Sequence, residues 1–118
     1  MKLSKFSSIA ALVLACNATF AQDIRVIAVE TNAPALTAEQ TEAQVTKPLE
    51  ESFSKIVGVL EIRSSSEPKR SYIEVYSKDQ DVSGLLTRVR LAAVKTRTSL
   101  PHSVEPSTVS ISTQPRLR

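Results

Sequence analysis

The chain has 118 residues, 42% hydrophobic and 23% charged, with one Cys, one His, one Met and no Trp. That content supports one small globular domain and excludes wholesale disorder. Aromatics at 4% leave little for a stacking platform on single-stranded nucleic acid, and the formal charge of +3 falls to +1 once Lys2 and Lys5 are set aside, which argues against nucleic acid as a partner.

Residues 1–21 read as an export signal. Lys2 and Lys5 form its positive end, and Ile9 to Ala15 its apolar stretch. That stretch is far shorter than the ~20 residues a membrane-spanning helix needs. Thr19-Phe20-Ala21 supplies the small residues for cleavage before Gln22. A second reading competes: Val13-Leu14-Ala15-Cys16 resembles a lipobox, in which Cys16 would be lipidated and become the first mature residue, giving the only membrane attachment expected. The rest, from Gln22 onward, has no Cys and does not depend on redox state. Its charge is uneven, with a net −4 over residues 22–62 and a net +5 over residues 63–118, a polarity that favours self-association or docking.

The pattern predicts strand, helix, strand, strand, helix, strand. Ile24 to Glu30 is β-branched and reads as the first strand. After a turn at Asn32-Ala33-Pro34-Ala35, Thr37 and Gln40 form a capping box. The helix they open is expected to run to about Ile56, with Val45, Leu49, Phe53 and Ile56 as its buried stripe. Pro48 inside it removes a hydrogen bond and clashes with the preceding turn, so a kink is expected. Val57-Gly58 turns into a second strand, Leu60 to Arg63, and Ser64 to Lys69 reads as a polar hairpin loop. Ser71 to Tyr76 alternates as the third strand, with Ile73 and Val75 inward and Tyr72 and Tyr76 outward as a contact surface. Asp81 caps a second helix reaching about Ser99, with Val82, Leu85, Leu86, Val89 and Ala93 inward. Thr108 to Ser112 is the last strand. This is an α+β, ferredoxin-like split βαβ domain: a four-stranded antiparallel sheet with two helices on one face, spanning 22–113, followed by a frayed tail over 114–118.

Catalytic chemistry has little to stand on. His102 is the only imidazole and lies in a loop. The serines cluster where polar loops and solvent-facing strands want them, with no motif placing a base beside them. The residues after the signal hold no Cys or Met and one His, which excludes a conventional soft copper or zinc site. The acidic pairs Glu50-Glu51 and Asp79/Asp81 are explained by helix surface and capping. Gly58 and Gly84 are the only glycines, so there is no phosphate-cradling loop. No cofactor, metal or enzymatic activity is expected. Leu91 lies off the inward stripe of the second helix, among Arg88, Arg90 and Lys95, and is a candidate for a helix–helix contact.

The run Val45-Thr46-Lys47-Pro48-Leu49-Glu50 resembles the core of the first porter-subdomain helix of resistance-nodulation-division (RND) efflux transporters. Asn32-Ala33-Pro34-Ala35 stands at the family's turn before that helix, Ile56-Val57-Gly58-Val59 resembles its exit, and Ile62-Arg63-Ser64-Ser65-Ser66 resembles its second strand. Leu100-Pro101 with Val104-Glu105-Pro106 resembles the approach to the final strand. The resemblance covers about Ile24 to Ser112, and it implies a ferredoxin-like fold. It departs at Ala35, where the family has glycine, and at Lys78-Asp79-Gln80-Asp81, where the family has Gly-Thr-Asp. The 118 residues span one such subdomain and none of the intramembrane acidic residues used for proton coupling, so pumping by these residues alone is not expected. In the family the second helix of this subdomain lines a trimer pore, and the resemblance marks Val82 to Ser99 as the segment that packs against copies of itself or a pump.

The expected function is therefore a non-enzymatic, exported protein acting by contact with an RND pump, with its periplasmic adaptor, or with itself as a homo-oligomer. Tyr72, Tyr76, Arg88, Leu91 and Lys95 are the candidate interface. Two alternatives are a periplasmic small-molecule binding module on the open sheet face, against which the low aromatic content speaks, and the remnant of a truncated transporter gene.

Overall fold

A computed structural model describes residues 24–113 and Leu117. The expected export signal, Cys16, and residues 114–116 and 118 of the expected tail lie outside the described residues.

The element order is β1 (Arg25–Asn32), α1 (Ala38–Thr41), a π-helical segment (Glu42–Thr46), α2 (Lys47–Ser54), β2 (Val59–Glu67), β3 (Arg70–Ser77), α3 (Val82–Arg97) and β4 (Thr108–Ser112). The sheet runs β2-β3-β1-β4 and is antiparallel throughout. Each helical crossover joins two strands that flank a third, which is the split βαβ arrangement read from the sequence. Ile27, Val29, Ile73, Val75 and Val109 face the helices. They meet Val45, Leu49 and Phe53 of the first crossover and Leu85, Val89 and Ala93 of α3 in one buried cluster. Ile73 and Val75 are fully buried, as their alternation indicates.

The first crossover departs from a simple kinked helix. Thr37 and Gln40 form the expected capping box over Ala38–Thr41. The chain then widens into a π turn, in which the Lys47 N–H reaches Glu42 O, five residues back. Pro48 explains the change. It has no N–H to donate, and in a regular helix its ring would press on the carbonyl of Gln44. A wider turn just before it opens that space while the apolar stripe keeps its direction.

The second strand is longer than composition suggests and runs as far as the family resemblance carries it. Ser64, Ser65 and Ser66 belong to β2, not to a hairpin loop, and pair with Ile73, Tyr72 and Ser71. The reason lies across the interface. The Thr46 hydroxyl shares hydrogen bonds with the Ser66 hydroxyl at 2.8 Å and the Ser71 hydroxyl at 2.7 Å. Ser66 Oγ donates to Glu42 Oε1 at 2.5 Å, and Ser64 Oγ to Glu50 Oε2 at 2.6 Å. Ser64 and Ser66 are not turn formers there; their hydroxyls bind the helix above them. A bulge between Val59 and Glu61 opens the strand and turns Leu60 outward, 54% exposed.

The turn that follows is two residues, Pro68-Lys69, with Lys69 at φ 71°. Its backbone also holds the loop after β1: Ala33 N–H donates to Lys69 O at 2.8 Å, and Lys69 N–H to Leu36 O at 3.1 Å.

Two predictions follow from this packing. Thr46→Val keeps the volume but strands the buried Ser71 hydroxyl, and is expected to cost about 1–3 kcal/mol in urea unfolding. Lys69→Gly relieves left-handed backbone strain and is expected to hold or raise stability by up to about 1 kcal/mol, whereas Lys69→Val lowers it.

Candidate functional site

The sequence-derived signature separates into core and anchor residues. Val45 and Leu49 are fully buried in the apolar cluster. Thr46 and Glu50 hold β2 and β3 through the serine hydroxyls. Pro48 sets the π turn, and Lys47 is exposed. Gly58 has φ +94°, a conformation L side chains rarely adopt, at the entry to β2. Pro101 follows α3, where Leu100 N–H and Val104 N–H close two successive turns onto Arg97 O and Pro101 O. These residues build the scaffold.

The candidate interface residues fall on two opposite sides. On the helical side, α2 and α3 pack through the Ser52 and Thr96 hydroxyls. Between them lies a groove of about 340 Å³ lined by Ser52, Lys55, Arg88, Leu91, Ala92 and Lys95. Leu91 is 56% exposed, and Val94, one turn on, is 68% exposed. Residues three apart share a helix face, so Leu91 and Val94 make a small aliphatic ridge beside Lys95. Sequence reasoning overlooked Val94. Its spacing of three from Leu91 was the available signal.

Arg88 is engaged within the fold. Its Nη2 lies 2.5 Å from Asp79 Oδ2. Asp79 also accepts from Asp81 N–H at 2.9 Å, while Asp81 Oδ1 caps α3 at Gly84 N–H, 3.0 Å away. The Lys78 to Asp81 segment thus starts α3 and fixes Arg88 together. The Arg88 Nε is buried and has no hydrogen-bond partner.

On the other side, Tyr72 and Tyr76 share the outer face of β3 with Glu74. They do not stand out into solvent as an open contact surface: Tyr72 is buried and Tyr76 half-buried. The cause is Glu74, which is fully buried. Tyr72 Oη donates to Glu74 Oε2 at 2.8 Å, and Tyr76 Oη lies 2.8 Å from Oε1. A buried carboxylate requires such donors. Burial and the hydrogen bond to Glu74 both raise the Tyr76 pKa, keeping that phenol protonated. The Arg63 guanidinium lies 5.1 Å above the Tyr76 ring.

His102 is exposed in the turn after Pro101. Among the described residues no group of three His, Cys, Asp or Glu could hold a metal ion, and no helix is long and apolar enough to cross a membrane.

Asp79 gives the helical side a pH signature. The Asp81 N–H, and after it Arg88, hold its carboxyl below the usual carboxylate range. A carboxylate so depressed adds stability above its unfolded pKa, about 4, and that share is lost as pH falls through the lower folded value. Melting temperatures are expected to drop more steeply below about pH 4 for the native chain than for Asp79→Asn.

The signature helix, the π turn around its proline, and the β2-β3-β1-β4 sheet stand together over almost the full described chain. A family model described as the AcrB/AcrD/AcrF family matches residues 9–117. No curated protein matches the chain. With the match covering nearly all of the 118 residues, the chain belongs to the AcrB/AcrD/AcrF family of RND transporters.

Proposed function

We propose that this protein works without catalysis, on the periplasmic side of the membrane, as a porter-type subdomain that docks through α3. Its partner is an RND pump, the pump's periplasmic adaptor, or a second copy of itself. The observation that carries this reading is the Leu91–Val94 ridge, two aliphatic side chains more than half exposed on one face of α3. An exposed aliphatic pair flanked by cations suits a contact that buries the apolar atoms and pairs the charges at its rim. Arg88, already held by Asp79, shapes the wall of the groove, while Leu91, Val94 and Lys95 make the contact.

Family membership supports a transport-related role, and the uneven charge of the two halves of the chain supports docking. The test is in-cell crosslinking from photoreactive residues at positions 87 and 98, exposed and one turn either side of the ridge, with capture of the crosslinked species. A pump, an adaptor or a second copy is the expected product. Leu91→Asp with Val94→Asp is expected to reduce its yield about tenfold or more. An unchanged yield would remove α3 as the contact.

A further inference from the structure

The outer face of the sheet carries a second site. Leu117 lies on it, and both polar groups of its backbone are read by side chains. Its N–H donates to Glu74 Oε1 at 3.2 Å. Its carbonyl accepts from Arg63 Nη1 at 3.1 Å and lies 3.0 Å from Tyr76 Oη. Arg63 and Glu74 are directly opposed across β2 and β3. The pair thus presents one donor and one acceptor at the spacing of a single peptide residue.

We propose that the outer sheet face is a main-chain recognition site that reads the N–H and C=O of one peptide residue, and that Leu117 of this chain occupies it. Three features carry this. Glu74 is fully buried yet faces away from the helical core, so its carboxylate has an acceptor role on that face and not a role in core packing. Tyr72 and Tyr76 fix its two oxygens from either side. Arg63 is oriented by Glu61, whose Oε2 lies 2.8 Å from its Nε, and by the Tyr76 ring. The phenol of Tyr76 has one proton and two acceptors in reach, Glu74 and the Leu117 carbonyl. With that proton on Glu74, the nearer acceptor, Arg63 carries the carbonyl contact. The ligand class follows: the neutral N–H and C=O pair of a peptide residue, with no side-chain charge required at that residue. This site is independent of the α3 reading, being on the opposite face of the sheet.

The test follows the Leu117 amide by hydrogen exchange in the full chain. The native amide is expected to exchange about tenfold or more slower than an unstructured one. Glu74→Gln is expected to remove most of that protection, while amides of the β1–β4 ladder keep theirs. Should Glu74→Gln fail to fold, Leu117→Pro, which removes the N–H without touching the sheet, is expected to change the emission of Tyr72 and Tyr76. An excess of a free peptide of residues 110–118 is expected to compete, speeding exchange at Leu117 about threefold or more, and the same peptide with proline for Leu117 is expected to do nothing. An unprotected Leu117 amide in the native chain overturns the site. Equal effects of the two peptides overturn main-chain recognition.

Discussion

A proline in the middle of a helix that must also be the lid of a hydrophobic core sets the terms for this fold. Pro48 cannot donate, yet Val45, Leu49 and Phe53 around it must all reach the sheet. The π turn over Glu42–Thr46 resolves the conflict by absorbing the misfit before the proline. That widened turn brings Glu42 and Thr46 over the serines of β2 and β3. The apolar core therefore ends in a seam of short side-chain hydrogen bonds, directional where the rest of the core is not. Helix position on the sheet is fixed by chemistry as well as by volume.

Beyond that frame the domain presents two unlike faces. The helical side carries the aliphatic ridge of α3 with cations around it. The sheet side carries a buried carboxylate, two phenols and a guanidinium arranged around a backbone segment. β3 connects them, since its odd-numbered Ile73 and Val75 face the helices while Tyr72, Glu74 and Tyr76 face outward.

Much of this was legible in the sequence because periodicity reports burial directly. The alternation in β3, the stripe from Val45 to Phe53 and the caps at Thr37 and Asp81 each state a local rule that the fold obeys. What escaped were features decided by a partner far along the chain. By composition Ser64 to Ser66 read as a loop, because serine favours turns in isolation, and only the family resemblance puts them in a strand; Thr46, Glu42 and Glu50 above Ser64 and Ser66 supply the reason. Alternation puts Glu74 on one face with the two tyrosines, but nothing in a local pattern says that both phenols will turn toward it. Arg88 read as free surface because its partner, Asp79, lies nine residues back, across a turn and a helix cap.

Glu74 also bears on how the chain finds its structure. A strand with bulky residues on both faces can pair in two ways that differ by a one-residue slip, and in the slipped form its two faces exchange roles. For β3 that slip would put Ile73 and Val75 outside and drive an ionised carboxylate among Leu49, Phe53 and Leu85. Tyr72 and Tyr76 would travel with it on the same face, but burying a carboxyl among apolar side chains while exposing Ile73 and Val75 costs free energy of which a domain this size has little to lose. The acidic residue in the middle of β3 thus acts as a register key, disfavouring the misaligned sheet before any partner is met.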